Sequence, residues 1–213
     1  MTQHIDSPIV PSEGGSVERC FSRHVATDPV YVRYHDEEWG RPVRDETALF
    51  ERICLEGFQV GLSWRTVLHK RDAFRDAFRG FDPERVARFG EADLARLASD
   101  PGIIRNRAKI AASIRAAQIV CDLAEQGSSL SDLIWAHRPA IHARPKPGER
   151  ASTSPESEAL AKALHRLGFR FVGPVNVYAT MQACGLVNDH VAGCAVGDDI
   201  EAATREDSST APG

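Results

Sequence analysis

From Asp45 to Val187, apolar residues return every three or four positions in eight consecutive segments, and no polar–apolar alternation of useful length interrupts them. A spacing near 3.6 lines apolar side chains along one side of a helix, whereas a half-buried strand needs a spacing of two. The chain is therefore expected to be all-α. Punctuation supports this. "DETALFERICLEGFQ" opens on Asp45 as an N-cap, and "FDPERVARFG" has Asp82 as a cap with Pro83 at the first helical position. "SWRTVLHKRDAFRDAF" reads as one helix. "EADLARLASD" is stopped by Pro101 and Gly102, and "NRAKIAASIRAAQIVCDLAEQG" is closed by Gly127. "SLSDLIWAH", "SPESEALAKALHRLG" and "GPVNVYATMQACGLV" complete the set, with a proline-rich loop, "RPAIHARPKPGERASTSP", between the first two of these. Residues 1–17 and the acidic stretch 198–213 are expected to be disordered tails around one domain spanning 18–197.

No run of eighteen apolar residues predicts a membrane span, and the N-terminus lacks a signal-peptide pattern, so a cytoplasmic protein is expected. The net charge of −4 conceals an asymmetry. Residues 1–18 carry −3 and 198–213 carry −4, which leaves the body at +3, and 101–171 alone at +5. A basic body can engage a phosphate backbone, although an uneven solvated surface gives the same count.

Five cysteines in a chain without a secretory signal argue against a disulfide framework. Cys54, Cys121 and Cys184 sit among apolar residues, as small core residues do. Cys194 lies four residues after His190 in "VNDHVAGC", so on a helix both would face one way. Cys20, His24 and His35 lie near the other end, and Cys20 with His35 would complete a Cys2His2 set of the kind that closes a structural zinc site.

Two segments read as hairpins between helices, "LASDPGIIRNRAKI" and "LHRLGFRFVGPVNVY". In the second, Gly168 and Gly173 bracket four residues, with Arg166 and Arg170 alongside. It is either an ordinary αα-hairpin with a glycine cap or a turn whose free N–H groups hold a phosphate.

The segments "YHDEEWGRPVRDETALFERICLEGFQVGLSWRTVLHKRDAFRDAF", "FDPERVA", "GIIRNRAKI" and "LGFRFVGPVNVYATMQACGLVNDHVAGC" together resemble the 3-methyladenine DNA glycosylase I (Tag) family, in order, from about Cys20 to Cys194. The resemblance implies a helix-hairpin-helix glycosylase fold and a base-excision repair enzyme. Such an enzyme flips N3-alkylated adenine out of duplex DNA and hydrolyses its N-glycosidic bond. It implies a structural zinc on Cys20, His35, His190 and Cys194, with His24 left over. It places Tyr31, Tyr34, Trp39 and Trp64 around the flipped base, Glu56 as the carboxylate that reads it, and Gly61 and Leu62 as the wedge in the duplex. Arg166, Gly168, Arg170 and Gly173 would bind DNA.

Without the resemblance the four aromatics read as core residues and Glu56 as a helix-surface residue. One departure stands out: Ser22 occupies a position where the family usually has Trp, so either Phe21 supplies that wall or the wall is missing. Asp189 lies near the place where many hairpin glycosylases carry a catalytic Asp, without a clear equivalence. No lysine stands where a lyase nucleophile is expected, so a monofunctional enzyme is predicted, acting as a monomer on alkylated duplex DNA and releasing free 3-methyladenine. A zinc hydrolase or deaminase is disfavoured, because the P-C-x-x-C that accompanies H-x-E in such enzymes is absent. A non-catalytic alkyl-DNA binding module of the same fold remains the alternative.

Overall fold

A computed structural model describes Cys20 and residues 26–209. Among the described residues the regular elements are all helices, with no strand. Eleven α-helices are described: α1 Pro29–Glu37, α2 Glu46–Gln59, α3 Trp64–Leu68, α4 Arg71–Ala77, α5 Pro83–Ala87, α6 Glu91–Ser99, α7 Arg107–Glu125, α8 Leu130–Trp135, α9 Pro155–Leu167, α10 Pro174–Ala183 and α11 Ala195–Ser209. The caps read from sequence are in place. Asp45 accepts the Ala48 N–H at 2.8 Å, and Asp82 accepts that of Arg85 at 3.2 Å ahead of Pro83.

The central element is α2. It buries residues on all sides, from Leu49 to Phe58, because α3, α7, α8 and α10 pack around it. Phe58, Phe74, Phe78 and Phe81 form a fully buried ring cluster beside it, with centroids 4.5–6.1 Å apart. Fully burying such side chains contributes about 1.5–3 kcal/mol each.

Four expectations change. The segment "SWRTVLHKRDAFRDAF" is two helices, α3 and α4, broken at His69 and Lys70. Both side chains are drawn away from a continuous helix there: His69 reaches Asp28 at 2.7 Å, and Lys70 donates to the Pro101 and Gly102 carbonyls. The acidic stretch after 198 is not a loose tail. Residues 195–209 form α11, which buries Val196 and Ile200, four residues apart, against Cys194. α1 was absent from the helical reading although Asp28–Pro29 repeats the Asp82–Pro83 signature. Cys121 is half-buried, while Cys54 and Cys184 lie in the core. The expected tail 1–17 lies outside the described residues, as do Phe21, Ser22 and His24. Among the described residues no helix is long and apolar enough to cross a membrane.

Candidate active site and metal centre

Helix spacing builds one cavity from several elements. α1 presents Tyr31, Tyr34 and His35 at three- and four-residue intervals, α2 presents Glu56 and Gln59, and α10 presents Ala179 and Gln182. Trp39, Trp64 and Arg150 complete a cavity of about 210 Å³. That is smaller than the roughly 300–1,000 Å³ of sites for drug-sized ligands, and suits a single planar heterocycle. Tyr34 lies 5.3 Å from Trp64 and 6.3 Å from Tyr31, ring centre to ring centre. All four aromatics singled out from sequence therefore line one space.

Asp28 sets the separation of two of these walls. Its Oδ1 accepts the Val30 and Tyr31 N–H groups at 3.1 and 3.3 Å, capping α1. Its Oδ2 accepts Arg65 Nε at 2.6 Å and meets His69 Nε2 at 2.7 Å, docking α3. The bond from His69 foremost, helped by Arg65 and the Tyr31 N–H, holds this carboxyl down at about 2 despite the opposing effect of burial. One buried carboxylate thus fixes the helix carrying Tyr31 and Tyr34 relative to the helix carrying Trp64.

Glu56 is inside, not on the helix surface: only 3% of it is exposed. Burial pushes its carboxyl up to about 8, and the nearby Arg52 charge offsets this only in part. Its Oε2 and the Trp64 Nε1–H are both buried without a hydrogen-bond partner among the described residues. A buried polar atom left unpaired costs about 1–3 kcal/mol, so a fold that keeps two of them in one cavity points to a ligand supplying one donor and one acceptor.

Two residues that the sequence reading did not assign shape the same wall. Gln182 donates through Nε2 to Asp189 Oδ2 at 2.7 Å, and a carboxylate can only accept, so its amide is held nitrogen-first toward Asp189. Asp189 is further held by Tyr178 Oη at 2.8 Å and His142 Nε2 at 2.7 Å, and these hydrogen bonds lower its carboxyl against the effect of burial. It lies outside the aromatic cavity, and its oxygens are taken up by Gln182, Tyr178 and His142. Asn176, in the first turn of α10, donates to the carbonyls of Phe171 and of Glu56 itself at 2.9 and 2.8 Å. That joins the α9–α10 hairpin to the helix bearing the carboxylate. Gln59 and Gln182 were findable in principle: each sits three residues from another cavity residue on its own helix.

Beside the cavity, and sharing Cys20, His35 and Trp39 with its neighbourhood, lie the four sulfur and nitrogen atoms of Cys20, His35, His190 and Cys194, all within 4.8 Å of one another. A tetrahedral ion with bonds of about 2.0–2.3 Å spaces its ligands about 3.3–3.8 Å apart. The observed separations are 3.3 Å for Cys20 Sγ to His190 Nδ1, 3.5 Å for Cys194 Sγ to His190 Nδ1, and 3.8 Å for Cys194 Sγ to His35 Nε2. The outer ring nitrogens are also committed. His35 Nδ1 meets Asp36 Oδ1 at 2.8 Å and His190 Nε2 meets the Trp39 carbonyl at 3.0 Å, so both must donate outward, leaving the inward nitrogens as lone-pair donors. A hydrogen bond between the two sulfurs pushes the Cys20 thiol up and pulls the Cys194 thiol down; a cation would take that proton's place. The residues fit a metal. The Cys194 placement differs from the expected helix. His190 and Cys194 face together across a turn closed by Cys194 N–H to the Val191 carbonyl at 3.0 Å, ahead of α11.

Gly61 and Leu62 occupy the α2–α3 turn. Gly61 has φ 80°, the left-handed conformation that glycine tolerates, and Leu62 is 45% exposed at the tip. Lys109 Nζ ties the base of this turn to α7 through the carbonyls of Phe58 and Val60 at 2.9 and 2.5 Å. In the α9–α10 hairpin Gly168 caps α9 with φ 102° and Gly173 caps α10, while Phe169 is buried and Arg166 and Arg170 are exposed.

Residues 24–197 match the family model for methyladenine glycosylase. The chain is 48% identical over 181 residues to DNA-3-methyladenine glycosylase 1 of Escherichia coli K12, covering 84% of this chain and 96% of that protein. It is 42% identical over 173 residues to DNA-3-methyladenine glycosylase of Haemophilus influenzae, covering 80% and 94%. A crystal structure of 3-methyladenine DNA glycosylase I superposes with a TM-score of 0.79 at 46% identity, covering 83% of this chain and 98% of the other. The Staphylococcus aureus enzyme, whose structures address 3-methyladenine recognition, gives 0.77 at 34% identity, covering 80% and 93%. With residues 24–197 matching the family model and relatives at 42–48% identity covered over 94–96% of their length, the chain belongs to the methyladenine glycosylase family.

Proposed function

We propose that the protein is a DNA-3-methyladenine glycosylase that extrudes N3-methylated adenine from duplex DNA and hydrolyses its N-glycosidic bond. The observation that carries this reading is Glu56: a buried carboxylate with an unpaired oxygen, inside an aromatic cavity of one-ring-system size. Ionising it there is unfavourable unless a cation arrives, and N3 methylation makes the adenine cationic. The exocyclic amine supplies donors to Glu56, and the aromatic faces add cation–π attraction. Neutral adenine would leave the charge uncompensated.

Extrusion costs a few kcal/mol of stacking and pairing. Leu62 fills the gap left in the duplex, and Arg166 and Arg170 with the backbone around Gly168 and Gly173 hold phosphates. The glycosidic bond breaks with its electron pair passing to the base, which quenches the positive charge. Water adds at the sugar carbon and loses a proton. Because the leaving group is already cationic, no strong general acid is required, and no lysine is placed to form a lyase intermediate, so the strand stays intact. Cys20, His35, His190 and Cys194 would hold a structural zinc ion, which would crosslink the segment ahead of α1 to the turn ahead of α11.

Incubating methylated duplex DNA with the protein and following released 3-methyladenine by chromatography tests the reading. Tight binding of the lesion with no released base would instead identify a non-catalytic binding module.

A further inference from the structure

We propose that Arg144 is a positioning residue for the metal centre: its guanidinium gathers the backbone carbonyls of His190, Val191 and Cys194 and so pre-sets two of the four ligands. The inference rests on the zinc reading above, and adds a residue from a distant loop. Arg144 belongs to the proline-rich stretch between α8 and α9, where an arginine would ordinarily lie in solvent. Its side chain is only 7% exposed. Nε donates to the His190 carbonyl at 2.8 Å, and Nη2 donates to those of Val191 and Cys194 at 2.7 and 3.0 Å. Nη1 pairs with Asp198 in α11. The next residue contributes as well, since the Pro145 carbonyl accepts the Ala192 N–H at 2.8 Å.

Three carbonyls aimed at one point repel one another, and the turn from 190 to 194 would relax outward without a cation among them. A planar fork of N–H donors serves several acceptors at once, which a single ammonium nitrogen does poorly. The site is shaped around this fork: a Cβ at Gly197 would collide with Arg144 Nη2 and with His190 Cβ. The effect extends to the lesion cavity by two contacts. His190 Nε2 donates to the Trp39 carbonyl at 3.0 Å, and the two rings meet edge-on at 4.6 Å. Trp39 is a cavity wall.

The competing role is a plain anchor for α11 through Asp198, and substitutions separate the two. Zinc-loaded full-length protein is challenged with a colorimetric chelator, comparing wild type, Arg144→Ala, Arg144→Lys and Asp198→Asn, with melting of the metal-stripped proteins recorded alongside. Outer residues that orient metal ligands are worth roughly 10–100-fold in metal affinity. Arg144→Ala is expected to lose zinc faster by that factor, Arg144→Lys to lie close to it despite keeping the charge, and Asp198→Asn to release zinc as wild type does. Wild-type zinc retention in Arg144→Ala overturns the proposal, as does loss in Asp198→Asn equal to that in Arg144→Ala. If Arg144→Ala does not accumulate folded, Arg144→Lys decides, and retention in it overturns the proposal. A wild-type protein that takes up no zinc would instead overturn the metal reading itself, a result visible before any variant is compared.

Discussion

Replacing Glu56 by Gln removes a charge while keeping the shape and one acceptor oxygen, which makes it the sharpest probe of lesion selection. Burial raises this carboxyl from 4.5 to about 8. A shift of that size disfavours the charged form by roughly 5 kcal/mol relative to water, at about 1.4 kcal/mol per unit. At pH 7 the free enzyme is therefore mostly protonated at Glu56, and a cationic base must supply on the order of 1.4 kcal/mol to ionise it. The charge-assisted hydrogen bonds then formed are worth about 1.5–3 kcal/mol. Glu56→Gln forgoes both these bonds and the ionisation cost, so at pH 7 it is expected to weaken binding of a duplex carrying the methylated base by the difference, up to about 1.6 kcal/mol, and to narrow its margin over normal adenine.

The pH dependence follows with a definite sign. In the wild type, kcat/KM reports the free enzyme and is expected to rise with pH to an inflection near 8, whereas single-turnover rates at saturating DNA inflect lower because the bound cation favours the carboxylate. Stability moves oppositely. The native state keeps a proton that the unfolded chain releases from about 4.5, so stability falls as pH rises from 4.5 through 8 and levels above it. Glu56→Gln should therefore flatten both kinetic profiles and gain melting temperature over wild type progressively across this window. Wild-type affinity, discrimination and pH profiles in the variant would show that stacking alone selects the lesion.

Leu62→Ala should weaken binding to a lesion duplex and leave free-base binding and melting unchanged, since the side chain is exposed at a turn tip; equal losses in both binding assays would reassign it to the core. Cys194→Ser should purify with markedly less zinc and melt lower, because metal-binding energy at such a site is folding energy; a full complement of zinc with unchanged melting contradicts the four-ligand set. Asp28→Asn keeps the α1 cap but loosens the link to α3. It should cost about 1.5 kcal/mol, the lower end for hydrogen bonds to a charged group given that Arg65 and His69 are half-exposed. Free-base affinity should fall with it, and unchanged affinity would mean the Tyr31 and Trp64 walls are held by packing alone.

Most of the helical framework was legible because caps and apolar spacing are local. Asp45, Asp82 and Gly168 each do in three dimensions what their positions predict. What escaped notice depends on partners far along the chain. α11 is acidic and carries little apolar surface, so it reads as a tail; Val196 and Ile200 find Cys194 to pack against, and Asp198 finds Arg144, 54 residues away. α3 and α4 read as one helix because Asp28, which draws His69 aside, is 41 residues distant. The Cys2His2 set shows another case: residue types only suggested it, leaving His24 as a further candidate, and the family resemblance singled out the four residues that the structure brings together, although the helix expected to carry two of them is a turn.

The carboxylates of α2 show why a site is harder to read than a fold. Glu46, Glu51 and Glu56 recur every five residues on one helix, and nothing in their flanking sequence ranks them. Each meets a different fate. Glu46 accepts the N–H groups of Leu130 and Ser131 at 3.0 and 2.7 Å and so caps the start of α8. Glu51 is buried against Arg75, which donates to both its oxygens at 2.9 and 3.1 Å. Both of these carboxylates are compensated inside the fold, and a substrate has nothing to add to them. Glu56 alone of the three keeps a buried oxygen without a partner among the described residues. Burying a carboxylate uncompensated is tolerated only by shifting it toward the neutral form. On the proposed reading it would become an anion again when something cationic enters the cavity, so that the same local chemistry that makes Glu56 a poor structural residue would make it a selective one.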